Sequence, residues 1–209
     1  MQALCQLSYS PRSDGSVSPR GRLAAADLFP WRGGARAGDD AAMRDPAIAE
    51  ATADDVDDLR AFLWEAWAQA GPDAPGWAGA DDEVMGELTA PDAILARLGG
   101  PDRRLFLARR DGRVAGFAAT RRIDPATVEL AGVIVLQTMI GQGVGGGLVD
   151  AAVAGAIGDG CPQMVVRTEA DNDRSRAFYR RHGFVEVGFP VEPVEGVGGV
   201  LVELRRDVG

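Results

Sequence analysis

Val133-Ile134-Val135-Leu136-Gln137-Thr138-Met139-Ile140-Gly141-Gln142-Gly143-Val144-Gly145-Gly146-Gly147 carries the strongest structural signal in this 209-residue chain. Its β-branched opening reads as a buried strand. Five glycines then fall within Gly141 to Gly147, and the alanine-rich run that follows, to Ile157, reads as a helix. Strand, glycine loop and helix together suit a phosphate. The N–H groups of a helix's first turn have no partner inside it, and the dipole favours an anion there. Glycine lets the backbone approach closely and take positive φ. The dipole contributes only about 0.3–2 kcal/mol, so such a loop positions a ligand whose affinity comes mostly from elsewhere. Gly141-Gln142-Gly143-Val144-Gly145-Gly146 satisfies the dinucleotide pattern G-x-G-x-x-G, with Glu169 as an acidic ribose partner. It also satisfies G-x-G-x-G, another pyrophosphate pattern. A purely structural turn is the third reading.

Bulk properties narrow the class. A hydrophobic content of 46% supports a real core, and a domain of about 160 residues buries roughly 70% of its unfolded surface. The formal net charge of -9 argues against a general binder of nucleic-acid backbone and is compatible with an amine substrate. Cys5 and Cys161 form no CxxC pair, and a reducing, cytoplasmic setting is expected. His182 is the only histidine, which excludes multi-histidine metal sites; no metal is expected. All 22 basic residues are arginine, so lysine-based nucleophiles and the Walker lysine are excluded.

Along the chain, residues 1–42 lack periodicity and are rich in Ser, Pro, Gly and Arg. They are expected to be a disordered or weakly ordered extension without signal-peptide character, with Met43 as the natural start of a domain spanning 43–209. Ile48 to Ala51 is a strand candidate, and Thr52 begins a helix whose face is Val56, Leu59, Phe62, Leu63, Trp67 and Ala70. A loop carrying Trp77 leads to a second helix over 81–98, split or restarted at Pro91. Strands 104–109 and 113–120 flank Asp111-Gly112, a hairpin signal. Strand 127–136 enters the glycine loop. Then come helix 143–158, strand 164–168, helix 172–182 ended by Gly183, and two closing strands over 184–187 and 200–204, expected to be antiparallel. No stretch is long enough to cross a membrane.

A second motif, Asn172-Asp173-Arg174-Ser175-Arg176-Ala177-Phe178-Tyr179-Arg180-Arg181-His182-Gly183-Phe184, separates the readings. The pattern N-x-x-[A/S]-x-x-F-Y-x-x-x-G-F resembles the second signature of the GNAT superfamily of acyl-CoA-dependent N-acyltransferases. The glycine loop resembles its first signature, and the resemblance covers about 47–206. Gln137 departs from a common proline, and Ile140 from the usual Arg or Gln. A glycine loop near residue 141 also sits late for a βαβ nucleotide fold.

The resemblance implies an α/β domain with a mixed, mostly antiparallel sheet, helices on both faces and a splay between strands 4 and 5. It implies an acetyltransferase, with acetyl-CoA or another acyl-CoA as donor and a small-molecule or protein amine as acceptor. Homodimers are common among relatives. Val133, Ile134 and Val135 would meet the pantetheine arm. Ile140, Gly141, Gln142, Gly143, Val144, Gly145 and Gly146 would surround the pyrophosphate, and Asn172, Arg176, Phe178 and Tyr179 would complete the donor site. Arg174 and Arg180 would join Arg176 at the phosphates. Tyr179 would protonate the leaving thiolate. Glu129 stands first as base, Glu169 second and a water chain third. Trp64 and Trp77 would line the acceptor pocket or pack in the core. His182 is expected to be exposed. Two alternatives stay open: a non-catalytic acyl-CoA-binding sensor or interaction module, and a dinucleotide oxidoreductase.

Overall fold

The computed structural model describes residues 45–70, 80–98, 100–188 and 200–209. The expected extension over 1–42, Met43, Cys5 and Trp77 lie outside them. Among the described residues the strands form one sheet, ordered β1-β2-β3-β4-β5-β7-β6. They are β1 (Ala47–Glu50), β2 (Arg103–Arg110), β3 (Arg113–Asp124), β4 (Thr127–Val135), β5 (Gln163–Glu169), β6 (Val185–Gly188) and β7 (Leu201–Asp207). All pairs are antiparallel except β4 with β5. The helices are α1 (Val56–Ala70), α2 (Asp82–Leu88), α3 (Pro91–Leu98), α4 (Val144–Gly158) and α5 (Asp173–Arg181).

Local chemistry accounts for the element boundaries. Asp111 at φ 51 and Gly112 at φ 77 give the tight β2–β3 hairpin the two left-handed residues it needs. The Asp81 carboxylate accepts from the Val84 N–H and starts α2. The split expected at Pro91 within 81–98 is present: α2 ends at Leu88 and Pro91 opens α3, where its fixed φ is favourable. Asn172 accepts from the Ser175 N–H at the head of α5. The closing strands are antiparallel as expected, with β7 inserted between β5 and β6.

Side-chain alternation divides the core between the two faces. One face carries Phe106, Ala108, Ala115 and Leu130 against Val144, Leu148, Val149 and Ala152 of α4. The other carries Leu107, Phe117 and Ile134 against Leu59, Phe62 and Leu63 of α1, with Met85 of α2 and Ile94 of α3. Each large side chain so buried contributes roughly 1.5–3 kcal/mol. The α4 helix lies close on the sheet because glycine faces it: a Cβ on Gly147 would fall 2.7 Å from Ile48 Cδ1, and one on Gly155 2.8 Å from Phe106 Cζ.

Two irregularities position the site. In the β3–β4 ladder, Thr120 faces Leu130 and Ala119 faces Gly132, leaving Ala131 as an extra residue in β4. The β4–β5 ladder holds only Thr127, Val128 and Glu129 against Gln163, Met164 and Val165. Beyond Glu129 the two strands part. This fork is the splay expected between strands 4 and 5, and the glycine loop hangs from the β4 arm.

Candidate active site

The loop after β4 begins as a 3-10 turn over Gln137–Met139. Gln137, in place of proline, keeps an N–H that donates to Gln69 of α1 at 2.9 Å. Gly143, at φ +81, is the residue that heads α4, and no side chain caps that helix. A Cβ at Gly143 would meet nothing within 4 Å. Glycine is therefore needed there for its backbone angle, and the space beside it is open. The leading N–H groups of α4, on Val144, Gly145 and Gly146, face this space without a carbonyl partner inside the helix. An anion fits such a site.

The remaining glycines of the loop serve contact. A Cβ on Gly145 would lie 3.4 Å from the Phe178 ring and 3.7 Å from Val135 Cγ2. One on Gly146 would lie 3.0 Å from His182 Cε1. The glycine helix, the end of β4 and the face of α5 thus meet at one place. The rings continue through it: Phe178 packs on His182 at 4.7 Å and on Tyr179 at 5.2 Å, and Tyr179 on Phe184 at 5.7 Å. His182 therefore differs from the exposed residue expected. Its half-buried ring closes against Gly146, where any larger side chain would displace it.

Tyr179 is buried. Burial pushes its phenol well above the ordinary tyrosine range, and the Glu169 carboxylate pushes it further the same way. The group stays protonated through neutral pH, as a proton donor must. Glu169 is the last residue of β5 and is half-buried; Asn172 Nδ2 lies 3.5 Å from its carboxylate.

Glu129 is more deeply buried, with its side chain 1% exposed. Arg121 donates to Oε2 at 2.6 Å and Arg167 to Oε1 at 3.1 Å. Arg167 also pairs with Glu203 at 3.1 Å, and Glu203 with Arg205 at 2.8 Å. Alternating charges so cross β3, β4, β5 and β7 at the base of the fork. The sequence reading missed Arg167 and Arg121; their partners are 38 and 8 residues away, and separately each looks like a solvated strand arginine.

Arg110, at the end of β2, was missed as well. Its guanidinium donates to the Gln142 side-chain carbonyl, and Gln142 Nε2 donates in turn to the Thr138 carbonyl at 2.8 Å. A cation is thereby fixed against the glycine loop at Gln142, two residues along the chain from Ile140, which is 39% exposed and carries no charge. Arg176, expected at the donor, is turned instead toward Glu186 at 3.0 Å and the Ala170 carbonyl at 2.8 Å. This ties α5 to β6 and occupies the guanidinium. Arg180 shares Glu186 at 3.6 Å, and Arg174 is exposed. Val133 and Val135 face α4, whereas Ile134 is buried toward α1 and can offer only its backbone to the fork. Trp64 donates to Thr89 Oγ1 at 3.0 Å and packs edge-on against Trp67, joining α1 to α2.

A parallel pair of strands forced apart beside a glycine-headed helix is the arrangement of an acyl-CoA fold, and the chain belongs to the acetyltransferase (GNAT) family, whose match covers residues 56–184. Over 73 residues it is 40% identical to a mycothiol acetyltransferase from Jonesia denitrificans, a stretch covering 34% of this chain and 23% of that protein. The chain thus spans about a quarter of the length of that relative. Its fold is similar to that of the paia N-acetyltransferase from Thermoplasma acidophilum in complex with coenzyme A, with a TM-score of 0.61 and 16% identity over 78% of this chain and 99% of the other. It is also similar to that of a ribosomal-protein-alanine N-acetyltransferase from Brucella melitensis, with a TM-score of 0.59 and 23% identity over 77% and 99%. No group of metal-ligating side chains occurs among the described residues, and no helix there is long and apolar enough to cross a membrane.

Proposed function

We propose that this protein transfers an acetyl group from acetyl-CoA to the nitrogen of an amine by direct attack. The observation that carries the reading is the open, uncapped head of α4 set beside the fork between β4 and β5. Acetyl-CoA, when bound, supplies the thioester. The chain's residues do the rest. The N–H groups of Val144, Gly145 and Gly146 hold the pyrophosphate, and Arg110 supplies the cation that Ile140 lacks. The parted edge of β4 over Gly132 to Val135 offers backbone hydrogen bonds to the pantetheine arm. Phe178 and Gly145 set how closely α5 approaches that arm.

Tyr179 holds the proton that the leaving sulfur takes up. Glu169 rather than Glu129 receives the proton shed by the amine, directly or through water. Glu129 Oε1 and Oε2 are both engaged by guanidinium groups, so an approaching ammonium would have to displace an ion pair. Glu129 instead fixes the geometry of the fork.

The reading is tested by titrating the full chain with acetyl-CoA, CoA and NAD, followed by a free-thiol assay over a panel of amines. At ligand near 100 times Kd, linkage adds about 2.7 kcal/mol of stability. Binding of acetyl-CoA without NAD, together with amine-dependent thiol release, supports transfer. Binding without turnover on any amine would favour a sensor, and absence of CoA binding would overturn both readings.

A further inference from the structure

A second space opens on the other face of the sheet, between α1, α3 and strands β2 to β4. Leu59, Leu63, Ile94, Leu98, Leu105 and Phe117 give a cavity of about 70 Å³ its apolar walls. Ala131, the extra residue of β4, also lines it. That residue stands two positions past Glu129, the last to pair with β5, so the cavity reaches the fork. Its volume is about half that of the roughly 150 Å³ cavity that takes up benzene. A short hydrocarbon group fits its apolar walls.

The polar part of the lining is cationic. Arg97, Arg103, Arg104 and Arg121 all contribute. Arg104 is committed to Asp159 at 2.5 Å and Glu50 at 3.4 Å. Arg121 shares Glu129 with Arg167. Among the described residues, Arg97 and Arg103 have no carboxylate partner; Arg97 Nη1 donates only to the Leu88 carbonyl. Arg103 and Arg121 stand directly opposite each other on β2 and β3, an arrangement that costs stability for like charges. Burial and the Arg103 charge both disfavour the charged form of Arg97. Sequences keep such conflicts chiefly where function needs them. The local charge is also opposite in sign to the chain's net charge of -9.

We infer that this cavity receives the acceptor, and that the acceptor is a small amino acid: an amine bearing a carboxylate, held by Arg97 and Arg103, and a short aliphatic side chain, held by the apolar walls. This rests on the acetyltransferase reading above. The amine nitrogen forms a bond to the acyl carbon as the carbon–sulfur bond breaks. The sulfur keeps the electron pair and takes one proton from Tyr179; of the two protons the ammonium sheds through Glu169 or water, one returns to the Tyr179 oxygen and the other is released.

The full chain is titrated calorimetrically with L-leucine, L-valine and L-norvaline, with leucinamide as the probe lacking a carboxylate and glycine as the probe lacking a side chain. Acetyl-CoA is titrated in parallel. The expected result is binding of at least one aliphatic amino acid, with leucinamide and glycine about tenfold weaker or worse, as the loss of a charge-assisted hydrogen bond implies. Arg103→Gln weakens the amino acid about tenfold and leaves the acetyl-CoA Kd unchanged. Arg97→Gln does the same if it folds, and the exposed Arg103 serves as the variant that keeps the test sound. Failure of all three amino acids to bind, or equal binding of the amide, overturns the proposal while acetyl-CoA binding stands. Loss of acetyl-CoA binding in the wild type overturns the reading beneath it.

Discussion

Glu129 Oε1 on β4 accepts from Arg167 on β5 at 3.1 Å, across the gap that opens as the backbone ladder between these strands ends. The ion pair is a side-chain rung placed where no backbone rung follows. Removing one partner of a buried pair leaves the other uncompensated, typically at about 3–5 kcal/mol. Glu129→Ala is therefore expected to lose stability of that order in urea denaturation. Glu169→Gln should lower kcat with little change in the urea midpoint. The reverse assignment, with activity lost and stability kept in Glu129→Gln, would return the base to Glu129.

Tyr179→Phe should reduce kcat by about 10²–10⁴, the usual contribution of a positioned general acid, with the acetyl-CoA Kd unchanged. Its raised pKa also has a sign. The folded state keeps the phenol proton at pH values where the unfolded chain, near pKa 10, begins to release it. This contribution is complete below about pH 10 and is lost as pH rises through the folded value. Between pH 10 and 11, wild-type stability should fall more steeply than that of Tyr179→Phe, as measured by chemical denaturation at each pH.

Arg110→Gln should weaken acetyl-CoA about tenfold to a hundredfold, the effect of losing a charge-assisted hydrogen bond of about 1.5–3 kcal/mol. The loss should shrink at high salt, because the site is half-exposed. Calorimetric titration at two ionic strengths measures it. Equal affinity for the variant would remove Arg110 from the phosphate site.

A Cβ on Gly116 would lie 2.7 Å from the Ile134 carbonyl oxygen, 3.1 Å from Leu148 Cδ1 and 3.2 Å from Val135 Cγ2. The oxygen belongs to the backbone of β4 and cannot move without shifting the arm of the fork. Gly116→Ala should cost about 1–3 kcal/mol and raise the acetyl-CoA KM. Gly147→Ala should be milder, since its 2.7 Å contact is the free end of the Ile48 side chain. Thermal denaturation of the two variants side by side checks the order.

Much of the fold was legible because its signals are local. Pro91 marked the helix boundary through its missing N–H, and Asp111-Gly112 marked the hairpin and Gly183 the end of α5, each through a left-handed backbone angle that few residues adopt. The glycine loop was legible for the same reason, and the Asn172–Phe184 motif through its resemblance to the second GNAT signature. What escaped the sequence depends on which strands become neighbours. Arg121, Glu129, Arg167, Glu203 and Arg205 form a network only after β5 lies between β4 and β7. Arg110 meets Gln142 only because the hairpin tip and the glycine loop end at the same edge. Arg176 looked available to a phosphate until β6 brought Glu186 to it. The conflict between Arg97 and Arg103 needed α3 docked on β2 before it existed.

The short ladder at Glu129 also has a mechanical meaning. Three residue pairs join β4 to β5, against eight for β3 with β4 and seven for β5 with β7. The sheet is thus two stiff plates stitched along a brief seam, and a tear started at the open end meets the Glu129–Arg167 pair as its first obstacle. A ligand arm laid in the fork would lengthen that seam with its own hydrogen bonds. Occupancy of the site would then be felt as toughness by a protease or an unfolding force pulling the plates apart, even at substitutions far from the acyl carbon.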